Sequence, residues 1–172
     1  MAKNKVLNEG ALDSTTRSII NHNLTDVSLC TTQLDAVTGT TGTTLTSIAG
    51  MVSDTLEPGT YEVHIHWSGV STANSGVKLG LKWGTASMIT ATEITATGRT
   101  ASASATQHTT TSTDQTSLFA QTAAVIEVDI RGVVTVGVAG TLTLQQAQNA
   151  AHADTTSTYV KSVMKITPIF TN

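Results

Sequence analysis

Between Tyr61 and Ser68 apolar and polar side chains alternate without a break, Tyr61, Val63, Ile65 and Trp67 against Glu62, His64, His66 and Ser68. Successive side chains of an extended strand point to opposite faces, so this run buries one face and wets the other as a β-strand. A helical period would scatter the same apolar residues around the axis. The alternation returns in Val77, Leu79, Leu81 and Trp83 against Lys78, Gly80, Lys82 and Gly84. It returns again in Ile126, Val128 and Ile130 against Glu127, Asp129 and Arg131. Beyond a Gly-rich bend Leu142 and Leu144 alternate with Thr141 and Thr143, so residues 124–148 are expected to form a hairpin of two half-buried strands.

Weaker strands are expected over 27–37, 44–51 and 158–169, the last ended by Pro168. Residues 86–97, with Met88, Ile89 and Ile94, are expected to pair with the 77–84 strand across a short turn. Turns fall at 38–42, with Gly39 and Gly42, and at 57–60, where Pro58 pre-sets φ and Gly59 follows it. Residues 71–76 and 149–157 are expected as loops. Residues 100–117 are almost entirely Thr, Ser, Ala and Gln, too poor in apolar side chains to offset their ordering entropy by burial. A long surface loop is expected there. Residues 1–26 show no sustained period and are expected as an extended N-terminal arm. The sum is an all-β chain: one jelly-roll-like β-sandwich domain over 27–172, built from about eight antiparallel strands.

The 172 residues suffice for one core without a disulfide or metal. Charged residues make up 12%, against about 25% in ordinary globular chains. Polarity comes instead from 35 Thr, a residue that favours strands and hydrogen-bonds in turns. A net charge of −3 with only nine Lys and Arg argues against nucleic acid and anionic membranes as partners. No apolar run approaches the ~18 residues that span a bilayer. Lys3 and Lys5 are not followed by a signal-peptide core, so synthesis in the cytoplasm is expected. The lone Cys30 allows no internal disulfide and is expected as a small buried apolar side chain.

Phosphate-cradling Gly loops, the Gly-x-Ser-x-Gly elbow, His-Glu-x-x-His and paired-Cys metal spacing do not occur. Paired glycosidase carboxylates normally line an aromatic cleft, and this chain is 3% aromatic. No enzymatic activity, catalytic residue, cofactor or metal is therefore expected. One constellation stands out: Glu62, His64 and His66 share a strand face, with the imidazoles about 7 Å apart. A polar outer face is the commoner meaning of His-x-His than a metal site. Trp67 and Trp83 are expected to point inward on neighbouring strands, in preference to forming a sugar-stacking platform.

The segments Leu56-Glu-Pro-Gly-Thr-Tyr-Glu-Val63 and Gly76-Val-Lys-Leu-Gly-Leu-Lys-Trp-Gly84 set one part of a pattern. Val133 to Val136 and Ala139-Gly-Thr-Leu-Thr-Leu-Gln-Gln-Ala-Gln-Asn-Ala150 complete it. Across roughly 45–169 this strand rhythm resembles the small β-sandwich virion proteins of tailed bacteriophages. The resemblance implies a capsid decoration (cement) protein on the virion surface, a homotrimer whose partner is the major capsid protein. The alternative it implies is a tail, knob or fibre component with possible host-glycan contact.

Overall fold

The computed structural model describes residues 30–169 apart from 35, 86, 101–104 and 111–116, and for 30–33 and 105–110 it describes the backbone alone. The expected arm over 1–26 and the environment of the Cys30 side chain lie outside the described residues. Twelve strands follow in order. They are β1 (Cys30–Gln33), β2 (Thr38–Thr40), β3 (Thr46–Val52), β4 (Gly59–Val70), β5 (Val77–Trp83) and β6 (Ile89–Thr100). The second half adds β7 (Ala105–Thr110), β8 (Phe119–Gln121), β9 (Val125–Val136), β10 (Leu142–Ala147), β11 (Thr156–Thr158) and β12 (Val163–Ile169). No helix occurs among the described residues.

Strands pair first with last and so inward: β1 with β12, β2 with β11, β3 with β10, β4 with β9, β5 with β8 and β6 with β7, all antiparallel. The chain is thus one long nested ribbon that closes at the β6–β7 hairpin. Wrapping this ribbon produces two sheets, one ordered β1-β12-β4-β9-β6-β7 with β11 and β2 at its side, the other β3-β10-β5-β8. With the β2–β11 and β6–β7 pairs set aside, the orders β1-β12-β4-β9 and β3-β10-β5-β8 are those of a jelly roll. The β-sandwich expected from the alternation is present, with twelve strands where about eight were expected.

The buried faces meet between the sheets. From the larger come Tyr61, Val63, Ile65 and Trp67 of β4, Val128, Ile130, Val134 and Val136 of β9, and Met164 and Ile166 of β12. Opposite them stand Val77, Leu79 and Leu81 of β5, Leu142 and Leu144 of β10, and Phe119 of β8. Gly98 of β6 provides room for the Phe119 ring, which lies 2.2 Å from where a Cβ would stand.

Several sequence expectations need correction. Residues 124–148 are not a hairpin: β9 pairs with β4 and β6, while β10 pairs with β3 and β5 in the other sheet. The glycines at 137 and 140 carry the chain across the sandwich, pinned by reciprocal Leu56 N to Gly140 O and Gly140 N to Leu56 O bonds of 2.7 and 3.1 Å. A hairpin and a crossing arch both bury one alternating face per strand, so alternation cannot separate them. Residues 86–97 likewise leave β5. Ser87, at φ 63°, and the buried Met88 lead into β6, which joins the larger sheet beside β9.

Trp67 and Trp83 therefore stand on different sheets, Trp67 fully buried and Trp83 packed against the core while half-buried. The expected 100–117 loop contains β7, whose Thr- and Ala-rich backbone pairs along β6 from Arg99–Ala105 to Ile94–Thr110. Residues 38–40 are strand β2 where a turn was expected, and β11 occupies the end of the expected 149–157 loop. Pro168 lies within β12 opposite Tyr61 instead of ending it.

Candidate functional site

Charge in this charge-poor chain gathers on the outer face of the larger sheet. The register across β12, β4, β9 and β6 builds three rows: Thr167–Glu62–Val133–Glu93, Lys165–His64–Arg131–Thr95 and Val163–His66–Asp129–Thr97. Beyond them Glu127 accepts a 2.5 Å bond from Arg99 Nε. That bond draws the Glu127 carboxyl below the usual carboxylate range and raises Arg99 further.

At the centre of the face two imidazoles converge on one carboxylate. His66 Nδ1 is 3.1 Å from Asp129 Oδ1, so the ring nitrogen carries the proton that the carboxylate accepts. His64 Nε2 is 3.7 Å from the same oxygen, too far for a hydrogen bond. This atom is nevertheless buried and has no hydrogen-bond partner. The alternation of β4 correctly places Glu62, His64 and His66 on one face. Glu62, however, stands away from Asp129 and borders a small cavity of about 80 Å³ with His64, Lys165 and Thr167. Asp129 was invisible as a participant because it is 63 residues from His66 in sequence. Only the β4–β9 register brings it across, and register is a property of the pair.

A second polar cluster lies inside the sandwich, under the β2–β11 strip. Trp67 Nε1 donates to Thr158 Oγ1 at 2.7 Å, and the Thr158 hydroxyl donates in turn to Gln146 Oε1. Gln146 Nε2 reaches Thr38 Oγ1 at 3.4 Å. Trp67 and Thr158 are wholly buried, and Gln146 nearly so. The cluster thus joins β4, β11, β10 and β2 through satisfied side chains. Next to it Asp154 accepts from Thr72 Oγ1 at 2.7 Å, and its carbonyl accepts from Gln148 Nε2. Trp67 is engaged as a structural donor, which removes it as a sugar-stacking platform. Trp83, half-buried at the far end of β5, is not beside it.

Polar chemistry gathers at the His64–Asp129–His66 group, at the buried Thr158 cluster and at the His152–Asp154 pair, whose Nδ1 and Oδ2 are 3.0 Å apart. Among the described residues no helix is long and apolar enough to cross a membrane. No protein-family model matches the chain, and neither a curated protein nor a solved structure matches it.

Proposed function

We propose that the chain is a non-enzymatic virion structural protein, a capsid decoration (cement) protein that binds the outer shell as a homotrimer. The observation that carries the reading is the jelly-roll strand order, wound from a single nested ribbon. Jelly rolls recur in viral capsid and lectin domains, and the warrant is architectural analogy supported by surface chemistry. The surface is neutral and rich in Thr, suited to broad protein contact and poor in the basic surplus that nucleic acid would require. Three copies of one modest contact would hold by multivalency, each further arm meeting its site at high effective concentration. Residues 1–18, outside the described region, are the proposed contact with the shell or a neighbouring subunit.

Quantitative mass spectrometry of purified particles against the major shell protein tests the assignment, alongside light scattering of the free chain. Near-stoichiometric copies and a solution mass three times the 17.8 kDa chain support a trimeric cement protein. A handful of copies would place the chain on the tail or a fibre. Complete absence from particles would overturn the virion reading.

A further inference from the structure

We propose that the outer face of the larger sheet receives residues 3–7 of a neighbouring copy of this chain, and that this contact closes the trimer. The inference rests on the homotrimer reading above. Its carrier is the row Glu62–Val133–Glu93, in which an exposed valine of β9 stands directly between carboxylates on β4 and β6. Beside Val133 the face dips into a depression of about 250 Å³ lined by Ala91, Thr92, Glu93, Val133 and Thr135. That is below the ~300–1,000 Å³ of small-molecule sites and suits aliphatic side chains of a docked segment.

Neither carboxylate is answered within the fold. Among the described residues Glu62 and Glu93 enter no ion pair; the acids that do are Asp129, Glu127 and Asp154. Two like charges roughly 9.5 Å apart, two strand spacings, across an apolar floor call for an occupant both basic and apolar. Of residues 1–29, Lys3-Asn-Lys5-Val6-Leu7 sets two cations beside two large apolar side chains with no acid among them. Arg17 is the other Lys or Arg of that stretch, and it stands alone. An extended chain turns Lys3, Lys5 and Leu7 to one side. Crossing the strands, it brings Lys3 to Glu62, Lys5 to Glu93 and Leu7 to the depression at Ala91.

The chain between Leu7 and Cys30 can extend about 75 Å. Cys30 opens β1 at the edge of the sheet, four strand spacings or about 19 Å from β6, so the length suffices to leave the domain. An arm of one copy on a different surface of the next is a heterologous contact, which closes a ring when successive copies turn by a third. An arm seated on its own sheet would join nothing. Each contact is modest, and three in a closed ring hold by effective concentration.

Light scattering of the full chain comes first, and a monomer mass would overturn the homotrimer reading and this contact with it. On a trimer, Leu7→Cys and Ala91→Cys in a Cys30→Ser background are treated with a short bis-maleimide. Covalent dimers and trimers on a denaturing gel are expected. Cross-links confined to single chains, or none, would overturn the contact and leave the trimer standing. Lys3→Glu with Lys5→Glu should weaken association by on the order of tenfold, as should Glu62→Lys with Glu93→Lys, and the four changes together should restore it. Circular dichroism verifies that each variant is folded. Weakening without restoration would overturn the pairing of these charges.

Discussion

Replacing Thr158 by Val changes the shape of one fully buried side chain very little and removes its hydroxyl. That hydroxyl accepts from Trp67 Nε1 at 2.7 Å and donates to Gln146 Oε1, so the substitution strands a buried donor and a buried acceptor together. Each stranded group costs about 1–3 kcal/mol, which gives ~2–6 kcal/mol for the pair. In a domain of this size 1 kcal/mol moves the melting midpoint by about 2–4 °C. Thermal unfolding followed by circular dichroism should therefore show Thr158→Val melting ~4–24 °C below the parent. Thr158→Ser keeps the hydroxyl and loses one methyl, for a loss of only ~2–4 °C. A double-mutant cycle with Trp67→Phe isolates the donor, since without the indole N–H part of the Thr158→Val penalty should vanish. A Thr158→Val melt within ~2 °C of the parent would refute the assignment of the cluster as a structural tie.

Two further perturbations test other features. Gly132 of β9 lies between β4 and β6, where a Cβ would stand 2.0 Å from the Glu93 carbonyl oxygen and 2.7 Å from Ile94 Cα. Because backbone must move, Gly132→Ala should cost at least ~3 kcal/mol in urea unfolding, and a smaller loss would mean that the ladder yields easily there. Burial, with a lesser contribution from Glu57, raises the Tyr61 hydroxyl above the ordinary tyrosine range. The unfolded chain then ionises first, so stability falls as pH climbs from the ordinary tyrosine range toward the folded value. Tyr61→Phe loses the 2.7 Å bond to the Glu57 carbonyl, about 1 kcal/mol at neutral pH, yet its melting midpoint should decline less steeply above pH ~10. Parallel alkaline profiles would contradict this.

Which side of each strand is dry was legible from the residues, and which strands are neighbours was not. Tyr61, Val63, Ile65 and Trp67 are buried as their alternation requires, because side-chain direction is set by local backbone geometry. The crossing of residues 137–141 between sheets leaves the same one-sided pattern on β9 and β10 that a hairpin would. Strand β7 escaped because its order comes from backbone bonds to β6, for which Thr, Ala and Gln carry no apolar period. Of the His64–Asp129–His66 group, the two histidines could be placed on one face. The carboxylate could not, since it arrives through long-range register.

The nested pairing has a kinetic consequence. The β6 and β7 strands pair while adjacent in the chain, whereas β1 and β12 join opposite ends of the described domain at Cys30–Ile166. Closing the outer pair first would carry the entropy of a very long loop; after the inner pairs form, each next pair closes only a short addition. The ribbon should therefore assemble from the β6–β7–β9 region outward, with β1–β12 last. Ile94 of β6 and Ile166 of β12 are both fully buried, so Ile→Val at either should cost a similar ~1 kcal/mol. Stopped-flow refolding separates them. Ile94→Val should slow folding roughly threefold, and Ile166→Val should leave folding almost unchanged while speeding unfolding by about fourfold. The reverse assignment would show that the chain ends meet early, and that the nested order of pairs does not dictate the order of their formation.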